Sequence, residues 1–188
     1  MGGNIMIYDT MEKAQNLHTM LCIYTNQEDT SSFSLGYIQN MTNSEVLIES
    51  INSQGNYDGY IVKNIKDIFL IEENNKYIQK VTFLHDKSNT PHKNISNKYK
   101  NLFKSLLYFA KSYNLIVSVQ LHYSNAIDIQ GYVGDIEENE ASFLCVDDYG
   151  LNDGKAICDI NDITILACDG EDEMSLKILS SIDQSKEC

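Results

Sequence analysis

Leu35-Gly36-Tyr37-Ile38 returns 95 residues later as Gln130-Gly131-Tyr132-Val133, and this pair of stretches decides how the chain is read. At the same shift Gly55 meets Gly150, Asp58-Gly59 meets Asp153-Gly154, and Ile65-Lys66-Asp67-Ile68 meets Ile160-Asn161-Asp162-Ile163. Over residues 36–71 against 131–166, nine of 36 positions are identical, Glu45 and Glu140 among them. Unrelated segments share roughly two or three at ordinary amino-acid frequencies. Where identity is lost, apolar character survives, as in Ile38/Val133, Ile48/Phe143, Ile51/Val146 and Val62/Ile157. Cores accept such exchanges when volume and pattern are kept. The chain therefore reads as two copies of one module, aligned without a gap.

Working outward, each copy opens with a helix-period segment. In the first it is Ile7, Tyr8, Met11, Ala14, His18 and Leu21, with Asp9 or Thr10 as cap; in the second it is Tyr99, Leu102, Phe103, Leu106, Leu107, Ala110 and Tyr113, with Ser96 or Asn97 as cap. Five short stretches rich in Ile, Val, Leu, Tyr and Phe follow, at 20–25, 32–41, 45–51, 59–64 and 67–72, and again at 115–122, 127–136, 140–146, 154–159 and 162–168. Asp58-Gly59 and Asp153-Gly154 read as turns. Each copy closes with apolar residues (Tyr77, Val81, Phe83, Leu84; Met174, Leu176, Ile178, Leu179) that fit a short helix or strand. The expected organisation is a first module over 1–85, a polar linker over 86–97 holding Pro91, a second module over 98–180 and a tail over 181–188.

A helix followed by five short, bent strands resembles the Sm-like (Lsm) small barrel, a relative of SH3-like barrels. The residues that carry the likeness are Leu35-Gly36-Tyr37-Ile38 with Glu45-Val46-Leu47-Ile48, then Tyr60-Ile61-Val62 with Ile65 and Ile68, and their counterparts 95 residues on. The glycine suits a strand that must bend where a side chain would crowd it. The chain is also similar to uncharacterised bacterial proteins with a Gly…Asp-Gly-Tyr…Asp-Ile signature. The resemblance implies a mainly β, α+β fold of two tandem five-stranded barrels, each preceded by a helix. It does not carry over an RNA site. Where the Sm family places an Asp and an Asn on the base, this chain has Thr42 and Val46, then Glu137 and Ala141; the family's basic-Gly pair is replaced by Asp58-Gly59 and Asp153-Gly154.

Charge points the same way. The net charge is −13 and there is no arginine. Residues 1–94 hold 7 lysines and 11 acids, residues 95–188 hold 7 lysines and 16 acids, and from Asp128 to Glu173 there are 14 acids to one lysine, Lys155. A phosphate-binding surface needs clustered cations to displace counterions. Nucleic acid and anionic membrane are therefore not expected as partners, and a basic protein is the natural complement. No apolar run is long enough to cross a bilayer and the first residues lack a signal pattern, so a cytoplasmic location is expected. The cysteines Cys22, Cys145, Cys158, Cys168 and Cys188 are odd in number and irregularly spaced, which fits free thiols rather than bridges or a zinc site.

No catalytic, metal or cofactor pattern emerges. Asp58/Asp153 and Asp67/Asp162 recur in both copies, which fits turns and strand starts better than a site needed once. The acidic run from Asp147 to Gly154 breaks the alternation of a calcium loop at Tyr149 and Leu151. His18, His85, His92 and His122 are unpaired by spacing. The best candidate surface is an interaction patch of Tyr57, Tyr60, Asp147, Asp148, Tyr149 and Asp153, aromatics and acids near the matched turns. The expected function is non-enzymatic protein–protein interaction, without cofactor. Two alternatives are an RNA-associated Sm-like protein and a hydrolase with a carboxylate site between the copies.

Overall fold

Apolar side chains on both faces of each sheet set the layering. The computed structural model describes residues 5–29, 31–88, 92–95, 99–122, 124 and 126–184, with residues 183 and 184 described by backbone alone. The chain divides into two compact units at Asn94/Ile95. The first holds α1 (Ile5–Leu17), β1 (Leu21–Tyr24), β2 (Ser34–Met41), β3 (Glu45–Ile51), β4 (Tyr57–Asn64), a 3₁₀ turn (Ile65–Asp67), β5 (Leu70–Glu73) and α2 (Lys76–His85). The second repeats the series as α3 (Leu102–Ser112), β6 (Ile116–Leu121), β7 (Ile129–Ile136), β8 (Glu140–Val146), β9 (Asn152–Asp159), a 3₁₀ turn (Ile160–Asp162), β10 (Ile163–Cys168) and α4 (Glu171–Gln184). The fold is thus mainly antiparallel β with helices, α+β, as expected.

Within the first unit the strands lie in the order β5-β1-β2-β3-β4, and within the second β10-β6-β7-β8-β9. Among the described residues β5 does not pair with β4, nor β10 with β9, so neither sheet closes into the expected cylinder. In the first unit α1 covers one face: Met11 and Ala14 pack with Leu21, Ile23, Ile38, Val46, Ile48, Ile65 and Ile68. The opposite face packs Cys22, Tyr24, Leu35, Tyr37 and Ile51 against Ile78 and Val81 of α2. Strands covered on both faces lose the in/out alternation, and β1 and β3 are buried throughout. In the second unit α3 buries Leu102, Phe103, Leu106, Leu107 and Ala110, while among the described residues the α4 face gathers Ile116, Val146, Leu176 and the partly buried Tyr132.

Gly36 and Gly131 are needed where the sequence placed a bend. A Cβ on Gly36 would lie 2.0 Å from the Glu49 carbonyl oxygen, and one on Gly131 2.3 Å from that of Leu144. The Asp-Gly pairs, expected to be turns, instead sit inside β4 and β9. Glu49 pairs with Tyr60 and Ile51 with Tyr57, so Asp58-Gly59 oppose Ser50 alone; Asp153-Gly154 oppose Cys145 in the same way. Such a bulge needs positive φ in the extra residue, and Gly59 (83°) and Gly154 (86°) supply it.

Other expectations are corrected by the hydrogen bonds. The copies do not align at one shift throughout: Leu21 pairs with Gly36 and Glu73, whereas Val117 pairs with Gly131 and Cys168. The first strand and helix are therefore offset by 96, and the second copy is one residue shorter between its first two strands. Asp9 and Thr10 lie inside α1 rather than capping it. Asn101 caps α3, its side chain accepting from Lys104 N at 2.7 Å; Ser96 and Asn97 lie outside the described residues. Tyr99 precedes α3 and stacks on Tyr108 at 4.5 Å. His18 sits just past α1 at φ 50°, not on its apolar stripe. The apolar closing residues do form helices, yet Phe83, Leu84, Ile178 and Leu179 are exposed rather than packed. Residues 181–184, read as tail, continue α4.

Candidate functional site

Three of the six candidate residues meet in the second unit. Asp147, Asp148 and Asp153 line a groove of about 350 Å³ together with Asp128, Gln130, Cys145 and neighbouring apolar residues. The loop between β8 and β9 holds Asp147 and Asp148, Asp153 lies in β9, and Asp128 directly precedes β7. Asp147 N donates to Leu151 O, and Asp147 Oδ1 accepts from the backbone of Tyr149 and Leu151, all at 2.9 Å. The matching loop of the first unit is built identically on a neutral residue: Asn52 Oδ1 accepts from Gln54 N (3.1 Å) and Asn56 N (3.0 Å). The turn needs an acceptor, not a charge. The carboxylate of Asp147 thus exceeds what folding asks of that position.

One wall of the groove, Asp128, stands where the first unit has Phe33, part of an aromatic cluster that the second unit lacks. In the first unit Tyr24, Phe33, Phe69 and Tyr77 pack ring against ring at centroid distances of 5.2 to 6.4 Å. Their structural counterparts are Gln120, Asp128, Thr164 and Asp172. Asp128 accepts from Leu121 N at 2.7 Å and Thr164 Oγ1 donates to Gln120 O at 3.1 Å, so polar side chains satisfy the local backbone where rings filled space. Several carboxylates around one concavity set up a negative potential that favours a cationic ligand.

Tyr149 stands in the same loop with 74% of its surface exposed. Tyr57 and Tyr60 belong elsewhere and are not exposed rings: they are 7% and 1% accessible. Residues 92–93, expected to be free linker, cover them. His92 stacks on Tyr57 at 4.5 Å and 14°, its Nε2 lies 3.6 Å from Glu49 Oε1, and Tyr60 OH donates to Lys93 O at 3.0 Å.

The sequence reading missed Asp128 and Gln130 of the groove, although the change from Phe33 to Asp128 was visible at the repeat shift. It also missed a larger concavity of about 610 Å³ in the first unit, lined by Leu17, His18, Met20, Tyr37, Thr82, Phe83 and Asp86 among others. His18 stacks on Tyr37 there at 4.4 Å, and burial, with Asp86 and Glu49, holds the Tyr37 phenol above its ordinary range.

Buried ionisable side chains also lie outside these concavities, Lys63 and Glu173 among them. Lys63 is 5% exposed and its Nζ donates to Thr25 Oγ1 at 2.9 Å; burial pushes its pKa down to about 8. Glu173 is held above the usual carboxylate range by burial, against hydrogen bonds from Ser118 Oγ (2.5 Å) and Gly170 N (3.1 Å). The second pair is a helix cap: Glu173 reaches back to the N-terminus of α4. Cys22 and Cys168 are buried, and Cys145 and Cys158 partly so, all as free thiols. Among the described residues no group of three or more His, Cys, Asp and Glu side chains is placed to hold a metal ion, and no helix is long and apolar enough to cross a membrane. No protein-family model, curated protein or solved structure matches this chain.

Proposed function

We propose that this chain is a non-catalytic, cytoplasmic protein-interaction protein made of two Sm-like units, and that its second unit binds a basic segment of another protein in the groove of Asp128, Asp147, Asp148 and Asp153. The observation that carries the reading is the carboxylate-lined concavity of the second unit, in which Asp128 stands where Phe33 of the first unit packs on Tyr24 and Tyr77. Repacking with other apolar residues would have kept the core. Carboxylates give up that packing, and Asn52 demonstrates that the loop folds without the charge at Asp147. The Sm-like reading draws support from the helix-first element order, the sheet order β5-β1-β2-β3-β4 and the glycine in β2 and β7.

The test is calorimetric titration of the full chain with a lysine-rich peptide at low and high salt. The expected result is binding that weakens with salt, as charge pairs at a surface do, and that drops at least about tenfold in D147N/D148N/D153N. A variant that binds as tightly as the parent, or a single-stranded oligonucleotide that binds better than the peptide, would defeat the proposal.

A further inference from the structure

The two units differ again on the face formed by their third and fourth strands. In the first unit the strap of His92 and Lys93 lies over Glu49, Tyr57 and Tyr60. The counterparts at the 95-residue shift are Leu144, Asn152 and Lys155, and all three are exposed. Leu144 pairs with Lys155 and Ser142 with Ile157, so Leu144, Lys155 and Ile157 share one face of the β8–β9 ladder. Leu144 is 56% and Ile157 64% accessible. Strand β9 ends the strand order, eight residues long, and among the described residues pairs only with β8. Exposed edges of that length are ordinarily blunted by proline, by several lysines or by a covering loop; β9 has Lys155 alone and a bulge confined to its first half.

From this we infer that β9 and the Leu144/Ile157 face dock an extended basic segment of another protein, added as a strand along the free edge of β9. Three features select that occupant. The corresponding face of the first unit is already covered by a short segment carrying His92 and Lys93, so this fold accepts such a cover there. The acidic groove shares Asp153 with β9, and Cys145 and Val146 with β8, so cationic side chains of an added strand run directly toward carboxylates. The apolar pair on the face offers alternate side chains of that strand a dry surface, which is how strand addition acquires selectivity beyond the backbone bonds. The inference rests on the reading of a basic partner given above and adds where and in what conformation the partner lies.

The experiment is NMR on the labelled full chain, titrated with a short alternating Lys-Val peptide and, separately, with a Glu-Val peptide. The expected result is slowed amide exchange at Ala156, Ile157 and Cys158, methyl shifts at Leu144 and Ile157, and no response to Glu-Val. The double variant L144T/I157T keeps charge and leaves a β-branched, strand-compatible residue at both places, and binding should fall about tenfold in it. Responses confined to Asp147, Asp148 and Asp153, with Ala156, Ile157 and Cys158 unchanged, would overturn the inference while leaving the proposed function standing; no binding at all would remove both. A chain that self-associates at micromolar concentration and loses this in L144T/I157T would make the occupant a second copy and overturn it equally.

Discussion

The first unit packs Tyr24, Phe33, Phe69 and Tyr77 where the second has Gln120, Asp128, Thr164 and Asp172, and this exchange shows that one order of helices and strands accepts either a ring cluster or polar side chains at those places. Both units keep the α1/α3 face, the bent second strand and the bulged fourth strand. Only the α2/α4 face and the face beneath the strap diverge. Even the helix caps trade roles. α2 is capped by the Asn75 side chain accepting from Ile78 N at 2.8 Å, whereas at α4 the side chain three residues in, Glu173, accepts from Gly170 N. One orphan amide is satisfied by either arrangement, so the sequence drifts while the helix start stays.

The comparison breaks most sharply where the units are alike. Gly36→Ala and Gly131→Ala each drive a Cβ into a neighbouring backbone oxygen, and each should cost about 3 kcal/mol or more in its own unit. Hydrogen exchange resolved unit by unit checks this: loss of protection in the first unit for one variant and in the second for the other. A uniform response would mean the units do not unfold separately.

Next in size is the aromatic cluster. Phe33→Ala removes a partly buried ring from three-dimensional contact with Tyr24 and Tyr77 and should destabilise the first unit by about 2 kcal/mol. Asp128→Ala, at the matched place, should change the second unit by less than about 1 kcal/mol in urea denaturation, because only one hydrogen bond to Leu121 N is lost.

Lys63 sharpens the contrast between β4 and β9, where its counterpart is Cys158. Its folded pKa, about 8, lies below its ordinary 10.5. Below pH 8 both states carry the proton and the native state bears the buried charge. Between 8 and 10.5 the native amine has released its proton while the unfolded one holds it, so this residue makes stability rise with pH. Cys22 and Cys158, whose thiols burial pushes up to about 11, act oppositely as pH rises past their ordinary 9.0. The measurement is therefore a difference. Lys63→Met should gain about 2 kcal/mol over the parent at pH 7, and the gain should shrink by about 1 kcal/mol at pH 9. A gain that stays constant with pH would show that the amine is not buried as a cation.

The smallest expected effect is Asp147→Asn, which copies Asn52. Thermal unfolding should shift by no more than about 0.5 kcal/mol equivalent, since the amide oxygen can take both backbone bonds. A larger loss would mean the carboxylate, not merely an acceptor, holds the loop.

Much of this was legible in the residues. The repeat shift placed every strand within a few positions, because matched apolar residues and glycines answer to the same backbone twice. The Asp-Gly pairs misled: positive φ serves a turn and a bulge equally, and only the pairing of Glu49 with Tyr60 and Ile51 with Tyr57 separates them. The gapless alignment failed before β2 because few identities remain there to reveal one missing residue. Asp147, Asp148 and Asp153 stood out as candidates by their local run, whereas Asp128 joins them in the groove from the start of β7, distant in sequence.

Sequence alone determined the duplication, the leading helix and five strands of each copy, and the acidity of the second copy, all of which depend on local periodicity and composition. Tertiary structure decided that Tyr57 and Tyr60 are covered while Leu144 and Ile157 are bare, and that the sheets stay open. Exposure depends on which distant segment crosses a face, here His92 and Lys93 on the first unit, and no pattern within a strand encodes that crossing.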